Sequence, residues 1–357
     1  TTLPPLLQSC CSMPPGALPR GTSLGATLCS CSITPMEQSR NLSRPTLLAR
    51  APLSSRYPSR SPSPPLTPLL PSSMLRSLLP RPVVVRSGFA VIDHITSMPS
   101  VLIPVKELVA ICRQEGVDKV FVDAAHSVGQ VPVDVRDIGA DFYTSNLHKW
   151  FFCPPAVAFL HTRKGGPIAS QLHHPVVSHE YGNGLPMESG WIGTRDYSAQ
   201  IVVPEAIDFV NRFEGGIEGI RSRNHEKVVE MGRMLAEAWG TFLGSPPVMC
   251  GSMVMVGMPS CLCIESDDDA LRVRTMLRKD FKVEVPIYYN TRQVEVQEIA
   301  KDNNSDPVTG YVRISHQVYN VKEEYERLRD AVNKLVAEGF TSAELRPAEK
   351  IIYSTEV

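Results

Sequence analysis

From residue 88 onward short apolar runs alternate with amphipathic ones, and this alternation restricts the chain to an α/β fold. Phe89-Ala-Val-Ile-Asp93 is short and apolar, as a buried strand is. Val105 to Gly116 carries Val105, Leu108, Val109 and Cys112 on one helical face. Lys119-Val-Phe-Val-Asp-Ala124, Asp141–Ser145 and Ala156–Leu160 read as three further strands. Elements of this length in this order predict a mostly parallel sheet with helices on its faces. Ligands of such sheets bind outside the carboxyl ends of the strands, where Asp123 and Ser145 fall. Long helices are expected from Ser198 to Phe213 and from Glu218 to Trp239. A smaller α+β unit should follow, with strands near Val254–Val256, Val283–Tyr288 and Tyr311–Ser315. Its helices are expected near Asp269–Lys279 and Lys322–Glu338. No internal repeat is present.

The first 86 residues obey a different grammar. They hold 16 of the 31 prolines, nine arginines, 15 serines, 16 leucines, no lysine and one acidic residue, Glu37. Proline breaks both helical and sheet ladders, so no regular element is expected there. Three readings stand side by side: a transit peptide, a disordered tail, or translation in a shifted frame. The expected organisation is therefore 1–87 as a disordered or aberrant segment, 88–215 as a large domain, 216–345 as a small domain and 346–357 as a tail.

With 36 basic and 37 acidic residues in 357, the chain is neither a strongly basic nucleic-acid binder nor an acidic solvating protein. Beyond residue 86 the balance is 27 basic to 36 acidic. An Arg/Ser-rich tail that binds RNA rests on composition alone. No run approaches the roughly 18 to 20 apolar residues of a membrane span. Nine cysteines, an odd number without framework spacing, suit a reducing compartment. The expectation is a soluble intracellular protein, cytoplasmic, plastid or mitochondrial, not a secreted one.

The chemistry gathers in one constellation. Asp123-Ala-Ala-His126 ends a strand, and Ser145-Asn-Leu-His148-Lys149-Trp150 follows the next. A strand-end lysine behind a serine and a histidine suits a Schiff base with an aldehyde cofactor. A strand-end carboxylate suits the pyridine nitrogen of pyridoxal 5′-phosphate, whose ring is an electron sink only while that nitrogen is protonated. Ser145 and His148 could donate to the cofactor phosphate. His126 could reach the phenolic oxygen or the ring.

These blocks, with Ile92-Asp-His-Ile-Thr-Ser-Met-Pro-Ser100 and Gly193-Thr-Arg-Asp196, resemble class V aminotransferase-fold enzymes. The resemblance spans about residues 88–340. It is greatest to the plant L-cysteine desulfhydrase group, itself similar to isopenicillin N epimerase. It implies a fold-type I pyridoxal-phosphate architecture and a homodimer with active sites at the subunit interface. It further implies Lys149 as the Schiff-base lysine, Asp123 on the pyridine nitrogen, His126 on the phenolic oxygen, and Ser145 and His148 near the phosphate. Thr194 would reach the phosphate from the neighbouring subunit. Arg313 would hold the substrate carboxylate, with Arg195 sharing that site; the competing reading of Arg313 is a charge at an exposed sheet edge. The implied reaction is α,β-elimination of L-cysteine to pyruvate, ammonia and sulfide. The family's Gly/Thr phosphate-binding turn and its ring-stacking residue have no counterpart in residues 1–86.

Two relatives of that reaction and one inactive alternative remain open. A desulfurase needs a nucleophilic cysteine before the carboxylate-binding arginine, and Tyr289 to Gly310 contains none. Cys261 and Cys263, in an apolar strand-like run, are expected to be core residues, and Cys153, close after Lys149, to be structural rather than reactive. An amino-acid epimerase is the other relative, and a catalytically inactive remnant is the third. His173, His174 and His179 lack the spacing of a metal site. Asp267-Asp-Asp-Ala reads as a helix start, not a cation site.

Overall fold

The first sheet takes its strands from the apolar runs. The computed structural model describes residues 25–29, 88–163, 172–290 and 308–345. Two compact units result, dividing between Arg223 and Asn224, with Met98–Ser100 joined to the second. Of the segment expected at 1–87, only β1 (Gly25–Cys29) is described; the rest, like the tail beyond residue 345, lies outside the described residues.

In the first unit β2 (Phe89–Asp93), β3 (Lys119–Asp123), β4 (Phe142–Asn146) and β5 (Ala158–Thr162) join β1 in the order β1-β5-β4-β3-β2. β2, β3 and β4 run parallel, whereas β5 is antiparallel to both β4 and β1. The expected mostly parallel sheet is thus a mixed one. A parallel crossover needs a dozen residues or more, usually with a full helix; residues 147–157 between β4 and β5 supply only the single-turn α3 (Leu147–Trp150). β1 also corrects the expectation of no regular element before residue 88. Its stretch is free of proline, and an edge strand needs a ladder on one side only.

Between β2 and β3 runs α1 (Val105–Gln114), burying Val105, Leu108, Val109, Ile111 and Cys112. Arg113 at its end pairs with Asp141 at 2.6 Å, and the same carboxylate oxygen accepts from Val120 N at 2.7 Å. One carboxylate therefore ties helix to sheet. The short α2 (Val135–Ile138) is capped by Asp134, whose Oδ1 accepts from Arg136 N and Asp137 N. Farther on come α4 (Leu185–Gly190), α5 (Ser198–Ile201) and α6 (Val203–Asn211). The single helix expected over 198–213 is broken at Val202, because Pro204 has no N–H to continue the ladder.

The second unit takes in most of α7 (Gly216–Trp239) and an antiparallel sheet of β6 (Met253–Gly257), β8 (Gly310–Ser315) and β7 (Ile287–Tyr289), with β8 in the middle. α8 (Asp267–Asp280) and α9 (Lys322–Ala337) complete it. Leu235, Val254, Leu277, Val312 and Val332 are fully buried in its core, each worth about 1.5–3 kcal/mol relative to exposure. β7 is shorter than the strand expected from Val283, since Pro286 directly before it cannot donate to a ladder. The aspartate run starts α8 as expected: Ser266 Oγ accepts from Asp269 N, and Asp269 Oδ2 accepts from Ser266 Oγ and from Glu265 N.

Candidate active site

Parallel register sets the site's floor. Asp93, Asp123 and Thr144 stand level across β2, β3 and β4, so their side chains share one face. Beyond β3 the chain turns sharply: Asp123 Oδ1 accepts from Ala125 N at 3.0 Å, and Ser127 N donates to Ala124 O at 2.8 Å. This is the side-chain-closed turn that aspartate favours. Gly129, at φ +96°, finishes it, and a Cβ there would lie 2.3 Å from the Trp150 carbonyl oxygen. The glycine therefore lets the 124–131 turn press against α3.

That packing brings the expected lysine and histidine together. Lys149 Nζ lies 3.2 Å from His126 Nε2. Trp150 Nε1 donates to His126 Nδ1 at 3.3 Å, and Gln130 Nε2 donates to His126 O at 2.8 Å. The His148 ring is held by the Val157 main chain through Nδ1, and its Nε2 is buried with no hydrogen-bond partner. A buried polar atom in that state is a rarity. It is the kind of atom a polar ligand satisfies.

Ser145 is placed differently from the expectation. Its side chain is fully buried, its Oγ donates to Ala124 O at 2.6 Å, and it accepts from Val128 N at 3.3 Å. The hydroxyl is a strut between β4 and the turn, its proton directed at the Ala124 carbonyl. Its neighbour Asn146 escapes a reading of the sequence alone. Two positions after Thr144, it shares the face of Asp123 and opens α3 without a side-chain capping bond. Alternation along β4 is the signal that separates the two, once the register with Asp123 is known.

Burial tunes the groups around this floor. Burial, and next the charge of Asp123, raise the Asp93 carboxyl to about 6. Burial lowers His94 to about 4; its Nδ1 lies 2.8 Å from the Tyr143 hydroxyl, which burial also shifts upward. Cys153 is buried and its thiol is pushed up to about 11, which leaves it unreactive.

The remaining expected residues belong to other elements of the chain. Thr194 and Arg195 stand on an exposed loop closed by Tyr197 Oη donating to Gly193 O at 2.6 Å, with the Arg195 guanidinium 5.8 Å from the centre of the Tyr197 ring. Arg313 belongs to the second unit. It sits half-buried on the middle strand β8, not at an exposed sheet edge, and burial lowers its pKa. Cys261 and Cys263 are exposed beyond the end of β6, which corrects their reading as core residues. Pro259 directs the chain into a 3-10 turn there rather than extending the strand. Much of the stretch from Tyr289 to Gly310 lies outside the described residues.

The histidine cluster has its own explanation. Glu188 is buried and accepts from His173 Nδ1 at 2.7 Å, His174 N at 2.9 Å and Gly182 N at 2.9 Å. Burial alone would raise its pKa, but these donors outweigh it and hold the carboxylate low. No group of three His, Cys, Asp or Glu suited to a metal occurs among the described residues, and no helix among them is long and apolar enough to cross a membrane.

The aminotransferase class-V family profile matches residues 86–328. A putative L-cysteine desulfhydrase 1 of Oryza sativa subsp. japonica is 86% identical over 261 residues, covering 73% of this chain and 54% of the relative. A probable chloroplastic L-cysteine desulfhydrase of Arabidopsis thaliana is 63% identical over 262 residues, 73% of this chain and 53% of that one. The chain thus spans about half the length of these curated relatives. Among solved structures, the apo cysteine desulfurase of Thermococcus onnurineus NA1 is similar in fold, with a TM-score of 0.50 at 23% identity over 70% of this chain and 60% of that one. Class-V aminotransferases are fold-type I enzymes that depend on pyridoxal phosphate, and the side chains here suit that group. Asp123 has a carboxylate oxygen outside the turn, His148 Nε2 is buried without a partner, and Lys149 stands beside an imidazole. From the order of these strand-end groups and from the match over residues 86–328, the chain belongs to the class-V aminotransferase family.

Proposed function

We propose that this chain carries the cofactor-binding core of a pyridoxal-phosphate carbon–sulfur lyase that eliminates sulfide from L-cysteine. The observation that carries the reading is Lys149 Nζ at 3.2 Å from His126 Nε2, with Asp123 ending the strand from which the His126 turn departs. The relatives named L-cysteine desulfhydrase support it. When bound, the cofactor supplies an electron sink for the carbon that loses its proton. Lys149 would hold the cofactor and would move the proton at the amino acid's α-carbon. Asp123 holds the proton on the pyridine nitrogen. His126 faces the phenolic oxygen, and His148 and Asn146 receive the phosphate. Arg313 would pair its planar fork with the substrate carboxylate, Arg195 would share in that role, and Thr194 would serve the phosphate of a second subunit in a homodimer. L-Cysteine and water leave as pyruvate, ammonia and sulfide. On this reading residues 88–215 form the cofactor domain and 216–345 the small domain. A plastid compartment follows the chloroplastic relative.

The test compares the chain with Lys149→Ala after addition of pyridoxal phosphate and borohydride. Mass spectrometry should find a pyridoxyl group on the Lys149 peptide of the parent alone. In a separate sample with pyridoxal phosphate but no borohydride, sulfide and pyruvate should appear in equal amounts from L-cysteine, and Lys149→Ala should lower that rate by at least about 10³-fold. Alanine with enzyme-bound sulfur would mean a desulfurase, and loss of chirality alone an epimerase. A folded parent that takes no pyridoxyl group would be an inactive remnant, and the proposal would fall.

A further inference from the structure

We infer that Trp150 is a positioning residue: its indole keeps the His126 proton on Nε2, aimed at Lys149 Nζ. The inference deepens the reading of Lys149 as the cofactor lysine and rests on it. An indole N–H only donates, and Trp150 Nε1 lies 3.3 Å from His126 Nδ1. Nδ1 must then offer its lone pair, so the single proton of the neutral ring resides on Nε2. Nε2 is the atom 3.2 Å from Lys149 Nζ.

An ammonium has three donors and no acceptor, so an Nε2–H directed at Nζ is satisfied by the free amine. That is the form in which a lysine attacks a carbonyl or removes a proton. With a ligand in place, the same N–H is directed at an acceptor oxygen beside the lysine.

The indole is held for this task. Trp150 is buried at 7% exposure, its main chain abuts Gly129, and the His126 carbonyl is anchored by the buried Gln130. Ring, lysine and indole thus come from two short segments clamped together at one glycine. The tautomer is set by a side chain adjacent in sequence to the lysine it serves.

The measurement is nitrogen NMR of the full chain labelled at histidine, without added cofactor, with the His126 signals identified through His126→Gln. The parent should show a pyridine-like Nδ1 and a pyrrole-like Nε2 on His126. Trp150→Phe keeps an aromatic filler but lacks the N–H. It should shift His126 toward the other tautomer and slow pyridoxal-phosphate attachment to Lys149 by about three- to tenfold, the worth of one hydrogen bond. A parent with the proton on Nδ1 overturns the inference without any variant, so a misfolded Trp150→Phe does not rescue it. A folded Trp150→Phe that matches the parent in both readouts overturns it as well. A parent with the proton on Nε2 that never takes the cofactor supports the tautomer assignment while sinking the proposed function.

Discussion

At the scale of single residues, two adjacent groups at the end of β2 pull stability in opposite directions with pH. Asp93 titrates at about 6 in the fold against an ordinary 3.8 for the free side chain. Between those values the native chain holds a proton that the unfolded chain has released, so stability falls as pH rises through the window. His94 titrates at about 4 against an ordinary 6.5. There the unfolded chain binds the extra proton, so stability rises with pH. In the parent the two slopes offset each other between about pH 4 and 6. Asp93→Asn should therefore expose the His94 slope. Chemical denaturation should find the variant equal to the parent near pH 4 and more stable at pH 8, by at most about 3 kcal/mol. Equal stability at pH 8 would show that ionised Asp93 carries no burial cost.

At the scale of elements, the contact of the 124–131 turn with α3 assembles the site, and Gly129 is its weak point. Alanine there is strained by φ +96° and collides with the Trp150 carbonyl. Gly129→Ala should cost at least about 1–3 kcal/mol and separate Lys149 from His126. Thermal unfolding and the rate of cofactor attachment would read the two effects. If only stability falls, the turn does not position the lysine. Much of this element pattern is legible in the sequence, because β2, β3, β4 and α1 follow directly from apolar periodicity. The direction of β5 is not, since it depends on how far residues 147–157 reach. Nor is the choice between Ser145 and Asn146. Both are small, polar and adjacent, and only the pairing of Asp123 with Thr144 tells which one shares the face of Asp123. Cys261 and Cys263 read as core because their neighbours are apolar, yet Pro259 turns them outward.

At the scale of the whole molecule, β2 is an outer strand of the first sheet among the described residues, where it pairs only with β3. Sheets of parallel strands are ordinarily covered on both faces. Here Phe89 and Val91 are each 49% exposed on one face of the outer strand, while Ala90 and Ile92 are buried on the other. Phe89 adds to an aromatic row, with ring centroids 6.5 Å from Phe121, itself 6.2 Å from Phe142. An outer strand with an open ladder and exposed apolar side chains is a template for pairing with another chain. Association at this edge would bury those side chains at about 25 cal/mol per Å². It would add to any dimer formed for catalysis, so the parent should scatter light as species larger than a dimer when concentrated. Phe89→Ser with Val91→Thr keeps strand-compatible side chains and removes most of the apolar surface. The double variant should scatter less and bind less of a hydrophobic dye, with stability within about 1 kcal/mol of the parent. Unchanged scattering would move the association elsewhere. A large loss of stability would mean that Phe89 and Val91 are packed within the fold.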